Sequence, residues 1–216
     1  IAKIAARCMI GKSLAEQQMT QENQPTQFCV KEAVFPFNKF LGVDPILGPE
    51  MKSTGEVMGV AADFPKAYWK ALLGAGERPP LSGRAFVSVK DADKDGLSAI
   101  VERLQACGFD IVATKGTREH LQKHGLESTL VQKVKQGRPH IVDLIKNGEI
   151  SLIINTTEGE QPTRDSYEIR GAALQNKICY TTTLAGADAL SQAITSVKAL
   201  AAEDIQVTCL QTELHV

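Results

Sequence analysis

Ser151-Leu-Ile-Ile-Asn-Thr-Thr157 is the stretch of sequence that decides the fold of the second half of the chain. The apolar run 152–154 is what a strand buried on both faces of a parallel sheet requires. The polar residues Asn155, Thr156 and Thr157 therefore follow the carboxyl end of that strand. Open parallel sheets bind ligands at this end, because loops leave the strands there and helix amino termini present unpaired backbone N–H groups.

Short apolar runs alternate with longer amphipathic stretches from Gly83 onward. The apolar runs predict strands over 84–89, 109–113, 129–134, 152–154 and 177–180. The stretches between and after them predict helices over 93–107, 117–124, 141–147, 166–175 and 184–202, with a short strand or extended tail near 205–210. Strands that alternate with helices indicate a parallel sheet with helices on both faces. We therefore predict an α/β fold with a central five-stranded parallel sheet flanked by helices.

The first part of the chain follows a different pattern. A helix is predicted over 1–19 with a break at Gly11, then a strand over 28–35 and a helix over 64–73. The prolines and glycines spread over 36–59 exclude long regular elements, while the aromatic residues among them need a surface to pack on. We therefore expect this part to have too little core of its own and to be a piece of a larger body.

Composition limits the class of protein. Lys plus Arg number 24 and Asp plus Glu number 25, a balance that gives no support for a nucleic-acid or anionic membrane surface. The five cysteines form no C-x-x-C pair, which fits buried thiols in a reducing compartment. No apolar run approaches the roughly 20 residues of a membrane span, and no signal-peptide pattern opens the chain. We expect a cytoplasmic protein without membrane or nucleic-acid partners, beginning inside a longer chain.

Two short motifs suggest other chemistry, and each lacks an essential part. Gly11-Lys-Ser13 resembles the end of a phosphate-binding loop, but Ala6 stands where that loop needs glycine and no strand precedes it. His120 and His124 have the i, i+4 spacing of zinc ligands, but Leu121 replaces the glutamate of that motif and no third ligand is evident. We therefore predict no metal site in these residues.

Lysines and hydrogen-bond donors follow the predicted strands: Lys94, Thr114, Lys115, Thr117, Lys133, Asn155, Thr156, Thr157, Tyr180, Thr181, Thr182 and Thr183. Together with the backbone N–H groups around Gly116, they suit the phosphate of a phosphorylated ligand. The alternative is that the threonines only cap helices, which Ser and Thr favour. For a single cluster the capping interpretation is the stronger one, whereas the coincidence of several clusters on one rim favours a binding site.

Longer motifs carry a resemblance to a known family. Val30-Lys-Glu-Ala-Val-Phe-Pro-Phe-Asn-Lys-Phe40, Asp44-Pro-Ile-Leu-Gly-Pro-Glu50 with its continuation to Gly59, Gly137-Arg-Pro-His140 and Ile153-Ile-Asn-Thr-Thr157 resemble the carboxyl-terminal end of the large chain of bacterial carbamoyl-phosphate synthase. The resemblance extends along essentially the whole sequence. It implies that residues 1–81 are the remnant of the second ATP-grasp synthetase unit with its linker, and that residues 82–216 form a methylglyoxal-synthase-like allosteric domain.

The resemblance also implies ligands for this domain. In the family the domain binds UMP as an inhibitor and IMP as an activator, and ornithine activates at the junction with the synthetase unit. The residues that match the nucleotide phosphate site are Lys94, Thr114, Thr117, Lys133, Asn155 and Thr157, with Thr156 and Asp165 as ribose or base contacts. The residues that match the ornithine site are Glu32, Tyr180 and Thr182.

This chain departs from the family pattern at two of the positions that the resemblance identifies. Thr181 stands where the family has an aspartate between the tyrosine and the threonine of the ornithine site. Lys115 replaces the usual histidine in the turn near the phosphate. The first change bears on ornithine affinity, and the second adds positive charge.

The resemblance implies a part of a ligase rather than a complete enzyme. The glutamine-hydrolysing synthase makes carbamoyl phosphate for arginine and pyrimidine biosynthesis from ATP with Mg or Mn, and its ATP-binding residues lie upstream. This segment is therefore expected to hold no cofactor and no catalytic residue, and to work with the rest of the large chain and the glutaminase small chain, with oligomer contacts through the regulatory domain.

A lyase resembling methylglyoxal synthase is the alternative function. That reaction needs carboxylates for proton abstraction. This chain has Gly137-Arg138 at the lyase's Gly-Gly-Asp turn and Pro162-Thr-Arg-Asp-Ser166 at its Pro-His-Asp-x-Asp turn, so most of those groups are missing. The binding function is therefore favoured.

Overall fold

The computed structural model describes residues 1–22, 25–40, 44–132, 134, 137–200, 205 and 209, except for the side chains at 38, 161 and 165. In chain order its helices and strands are α1 (Ala2–Met9), β1 (Phe28–Val34), β2 (Gly55–Ala61), α2 (Phe64–Gly74), β3 (Gly83–Ser88), α3 (Leu97–Ala106), β4 (Phe109–Ala113), α4 (Lys115–Lys123), β5 (Thr129–Leu130), α5 (Ile141–Lys146), β6 (Leu152–Asn155), α6 (Glu160–Asp165), α7 (Tyr167–Gln175), β7 (Cys179–Thr181) and α8 (Leu184–Lys198). Short 3₁₀ turns lie at Phe37–Lys39 and Asp91–Asp93.

The predicted five-stranded parallel sheet is confirmed. Its strand order is β5-β4-β3-β6-β7, and every neighbouring pair is parallel. β6 lies between β3 and β7 and is buried at all of its positions, as the apolar run that leads into Asn155 predicts. The register pairs Ser88 with Asn155 and Val87 with Ala113, so the carboxyl ends of β3, β4 and β6 lie side by side.

Two hydrophobic clusters cover the two faces of this sheet. Consecutive residues of a strand point to opposite faces, so Leu152 and Ile154 belong to one cluster and Ile153 to the other. The first cluster contains residues of α2, α3 and α8, and the second contains residues of α5 and α7. Helices on both sides therefore bury the sheet and leave its carboxyl edge as the place for a ligand.

A strand that the sequence does not predict begins within the Pro- and Gly-rich stretch 36–59. β2 pairs antiparallel with β1, from Phe28 opposite Ala61 to Val34 opposite Gly55. The expectation that 36–59 excludes long regular elements is therefore wrong for its last residues. A Cβ at Gly59 would lie 2.0 Å from the carbonyl oxygen of Ala67, so this glycine permits α2 to approach the strand. It serves packing rather than a turn.

Helix α2 packs against both parts of the chain. It contacts β1 and β2 on one side and α8 on the other. Trp69 and Leu72 belong to the first core cluster, each with 6% of its surface exposed. The division at residue 81 stays a prediction, but α2, which precedes residue 81, packs against α8, which follows it.

Several element boundaries differ from the predictions. α1 ends at Met9, and the expected restart at Ser13 is a turn in which Ser13 and Glu16 bond reciprocally. No residue of α1 is buried. β5 has two residues instead of six, and α8 ends at Lys198. Of the expected tail at 205–210, only residues 205 and 209 lie within the description.

The thiols are less buried than expected. Cys107 and Cys179 are buried, but the expectation is wrong for Cys8, Cys29 and Cys209, which are exposed. None of the described helices is both long enough and apolar enough to cross a membrane.

Candidate functional site

A cavity of about 520 Å³ opens at the carboxyl edge of the sheet. The ends of β3, β4 and β6 form its floor, and the turn before α6 and the start of α7 form one wall. Its lining includes polar and charged residues from three strand ends: Ser88, Lys90, Asp91, Thr114, Asn155, Thr156, Thr157 and Glu158. Of the predicted strand-end donors, Thr114, Asn155, Thr156 and Thr157 therefore converge on this cavity.

The hydroxyl groups of two predicted threonines, Thr114 and Thr117, form a cluster with that of Ser88. The Thr114 hydroxyl donates to Ser88 Oγ at 3.1 Å and lies 3.4 Å from Thr117 Oγ1. Thr117 Oγ1 in turn accepts from the Val89 backbone N–H at 3.2 Å. Thr114 precedes α4 but makes no capping bond with its side chain. The capping interpretation therefore fails for Thr114, whose hydroxyl is oriented within the cavity instead.

The capping interpretation is correct elsewhere. Thr183 Oγ1 accepts from the Gly186 backbone N–H at 3.1 Å and caps α8. This threonine belongs to the polar cluster after the last strand and does not line the cavity. The two uses of threonine that the sequence left open therefore both occur.

The last residue of β6 and the two residues that follow it make different bonds at the cavity. Asn155 has only 3% of its surface exposed and donates from Nδ2 to the Tyr180 hydroxyl at 3.1 Å. Thr156 Oγ1 accepts from the Lys90 backbone N–H at 3.1 Å, so this hydroxyl joins the ends of β6 and β3. Thr157 Oγ1 lies 3.2 Å from Thr163 Oγ1 of α6. All three residues line the cavity, as predicted.

Lys94 lies beside the cavity rather than in its lining. Its Nζ lies 2.6 Å from Asp91 Oδ1. A Cβ built on Gly116 would lie 3.5 Å from the same Nζ, which is ordinary van der Waals contact. The ammonium group therefore sits over the first turn of α4. The hydrogen bond and charge of Lys94 lower the pKa of Asp91, which stays ionised at neutral pH.

Lys90 is a site residue that the sequence reasoning missed. It lines the cavity, and its Nζ lies 3.8 Å from Glu158 Oε2. The signal that could have found it is its position directly after the predicted strand 84–89, since Asn155 holds the same position after the predicted strand 152–154. The carboxylates of Asp91 and Glu158 also line the cavity and were not predicted.

Two predicted nucleotide residues cannot be placed. Lys133 lies outside the described residues, and Asp165 ends α6 with its side chain outside the description.

The His120 and His124 rings lie with centroids 4.3 Å apart. Among the residues that the structure describes, no three His, Cys, Asp or Glu side chains are grouped to hold a metal ion.

The structure places the predicted ornithine residues in two groups. Tyr180 packs on the second core cluster and bonds with Asn155, on the side of the cavity. Glu32 lies on β1, where burial and then the charge of Glu77 raise its pKa. Thr182 is exposed after the end of β7.

Strand alternation explains this separation. Cys179 belongs to the first core cluster, and burial followed by the charge of Glu77 raises its pKa to about 12. Thr181 shares the face of Cys179, because residues two apart in a strand point the same way. The Thr181 hydroxyl is buried and has no hydrogen-bond partner within the described part of the chain. The position where the family has aspartate therefore faces the side of Glu77, away from Tyr180.

Comparisons with known proteins identify the fold and the family. A family model described as an MGS-like domain matches residues 96–182, from the start of α3 to the end of β7. The carbamoyl phosphate synthase large chain of Pseudomonas aeruginosa is 58% identical over 194 residues, which are 90% of this chain and 18% of that protein. The chain is a homologue of part of the carbamoyl phosphate synthase large chain. This confirms the resemblance found in the motifs.

Other large chains give the same result. That of Xanthomonas campestris pv. campestris is 57% identical over 190 residues, covering 88% of this chain and 18% of the relative. That of Halomonas eurihalina is 52% identical over 218 residues, covering 100% of this chain and 20% of the relative. The chain thus spans about a fifth of the length of the relatives that it matches. The MGS-like segment contains the cavity residues Thr114, Asn155 and Thr157.

Proposed function

We propose that this chain is the regulatory region of a carbamoyl phosphate synthase large chain and that its cavity binds the phosphate of nucleotide effectors, UMP as an inhibitor and IMP as an activator. The observation that carries the proposal is the convergence of Thr114, Asn155 and Thr157 on one cavity. Thr114 makes no capping bond, and its hydroxyl lies beside those of Ser88 and Thr117 at the cavity.

The chemistry of the lining suits a phosphate monoester. Hydroxyl and amide donors bind phosphate oxygens, and lysine ammonium groups add charge-assisted bonds. Thr114 and Thr157 supply hydroxyls, Asn155 supplies an amide and Lys90 supplies an ammonium group. Lys94 adds a second ammonium group beside the lining. The first turn of α4 adds backbone N–H groups beside Thr114. Lys133 is proposed as a further ligand on the resemblance alone.

A lyase function has less support from the same cavity. Asp91 and Glu158 line it, and a proton abstraction needs a carboxylate whose pKa is raised toward the working pH. The pKa of Asp91 is lowered instead, and 95% of its side chain is exposed. The lining therefore supports binding better than acid-base catalysis.

The wider role is proposed from the relatives. As part of a ligase, the chain would act with the rest of the large chain, including the ATP-grasp unit that residues 1–81 would complete, and with a glutaminase small chain. ATP with Mg or Mn would bind outside this segment. Ornithine is proposed as a second effector near Glu32, with Tyr180 and Thr182 as its other contacts.

Calorimetric titration with UMP, IMP and inorganic phosphate tests the proposal. Thr157→Val removes one hydroxyl and should weaken UMP binding about tenfold, the loss expected for one hydrogen bond of about 1–1.5 kcal/mol. Thr129→Val is the matched control, because Thr129 is exposed on β5 outside the cavity. The proposal fails if no nucleotide or phosphate binds the folded wild-type chain, or if both variants bind like the wild type.

A further inference from the structure

A buried guanidinium group joins the two parts of the chain. Arg170 lies on α7, and only 3% of its side chain is exposed. Its Nε donates to Asp44 Oδ1 at 2.8 Å and its Nη2 donates to Asp44 Oδ2 at 2.6 Å. Asp44 lies between β1 and β2, in the first part of the chain. The pair therefore has the bidentate geometry that fixes both side chains.

The same guanidinium reaches the cavity by one route through α6. Arg170 Nη1 donates to the Thr163 carbonyl oxygen at 3.0 Å. The Thr163 hydroxyl lies 3.2 Å from the Thr157 hydroxyl, which lines the cavity. A ligand oxygen that takes the Thr157 hydrogen bond would therefore disturb the residue that Arg170 holds.

A second route runs through β7. Arg170 contacts Tyr180, whose hydroxyl accepts from Asn155 Nδ2 at 3.1 Å. Burial raises the pKa of Tyr180 against the opposing effect of Asn155 and Arg170, so the phenol remains protonated at neutral pH. Asn155 lines the cavity, so both routes end at proposed ligand-binding residues.

Because Arg170 is charged and buried, its contact with Asp44 and its contacts toward the cavity depend on each other. A guanidinium removed from water needs its partner, because an uncompensated buried charge is costly. A change in the position of Arg170 therefore shifts Asp44, Tyr180 and Thr163 together. The alternative is an inert structural pair that only holds α7 against the first part.

We propose that Arg170 is a positioning residue that couples ligand occupancy of the cavity to the segment 44–54, through Thr163 with Thr157 and through Tyr180 with Asn155. This inference rests on the proposed function, since it needs a ligand in the cavity. It assigns the coupling to a specific contact with the first part of the chain, one that touches no ligand itself.

Hydrogen exchange on the 216-residue chain, with and without UMP, tests this coupling. UMP should change the exchange of amides in 44–54 of the wild type. Asp44→Asn should abolish that change and, because coupling is reciprocal, alter the dissociation constant of UMP by at least about fivefold. Asp63→Asn is the matched control, because Asp63 caps α2 in the same part of the chain and pairs with Lys66. It should alter neither measurement.

A double-mutant cycle separates coupling from a structural role. Asp44→Asn and Tyr180→Phe should act non-additively on the affinity for UMP, because both act through Arg170. If Asp44→Asn does not fold, Tyr180→Phe must itself abolish the response of 44–54 to UMP. UMP binding with an unchanged response in these variants would overturn the coupling and leave the proposed function intact. Failure of UMP, IMP and phosphate to bind the wild type would overturn both.

Discussion

Lys90 and Glu158 place opposite charges at the mouth of the cavity, with Nζ and Oε2 3.8 Å apart. A phosphate that enters would bind the ammonium group and be repelled by the carboxylate. The Glu158 side chain is 71% exposed, so water screens this repulsion and keeps it modest. The pair should therefore tune affinity rather than decide whether the ligand binds.

Substitutions of Glu158 and of Lys90 should shift the affinity for UMP in opposite directions. We expect Glu158→Gln to tighten UMP binding about two- to fivefold and Lys90→Met to weaken it by a similar or larger factor, as calorimetry would measure. Glu160→Gln is the control, because Glu160 is exposed on α6 and pairs with Arg164 outside the cavity. Weaker binding to Glu158→Gln would show that this carboxylate contacts the ligand as an acceptor.

Asp44 should make stability depend on pH in the acid range. Burial favours its neutral form, but the hydrogen bonds and charges of Arg170, Ile46 and Lys52 outweigh that effect and lower its pKa. A carboxyl group whose pKa is lower in the folded state stabilises the fold above its unfolded pKa, near 4, and loses this contribution as the pH falls through its folded pKa.

Urea unfolding of the wild type and Asp44→Asn should show this difference. We expect the variant to be less stable by about 1–3 kcal/mol at pH 7, between the values for exposed and fully buried pairs. The difference should shrink below about pH 4, where Asp44 takes up a proton. A difference that stays constant down to pH 2.5 would contradict the role of the Asp44 charge.

At the scale of elements, the ribbon of β1 and β2 depends on a close approach to α2. A Cβ at Gly59 would lie 2.0 Å from the Ala67 carbonyl oxygen and 2.6 Å from the Ala71 nitrogen, both backbone atoms that cannot move alone. Gly55 lies on the same strand, and a Cβ there would meet nothing within 4 Å. The two glycines therefore differ in packing and not in the element that they occupy.

This contrast predicts the effect of adding one methyl group. Gly59→Ala should destabilise the chain by about 2–4 kcal/mol, because the helix must move away from the strand. Gly55→Ala should change stability by less than about 1 kcal/mol. Equal midpoints of the two variants in urea would show that α2 does not pack as closely as the structure describes.

At the scale of the whole molecule, α2 connects the ribbon with the MGS-like domain. Trp69 and Leu72 fill the first core cluster together with Leu190 and Ile194 of α8. A cut near residue 82 would remove those side chains and expose the face of α8 that they cover. Truncation of a buried Trp commonly costs about 3–5 kcal/mol.

The piece 82–216 should therefore be less stable than the whole chain. We expect a lower urea midpoint for the piece, and a similar loss for Trp69→Ala in the whole chain. Leu130→Ala is a suitable control, since this residue of β5 is exposed and lies outside both core clusters. A piece as stable as the whole chain would support independent folding of 82–216.

The predictable part of the site consisted of residues that follow strands. Thr114 and the triplet 155–157 line the cavity because parallel strands end at one edge. Lys90 obeys the same rule, but it stands alone after its strand, whereas the predicted donors occur in clusters. Asp91 and Glu158 were missed because each pairs with a lysine whose position depends on the fold.

The sequence by itself determined the parallel sheet, the strand ends that bear the polar groups and the family, because apolar periodicity and long motifs are local properties of a chain. Only the tertiary structure decided the pairing of β2 with β1, the opposite orientations of Tyr180 and Thr181, and the bond between Asp44 and Arg170 across 126 residues. These depend on which distant groups meet when the core closes. A buried guanidinium finds its carboxylate through the packing of α7, and no local pattern records that partner.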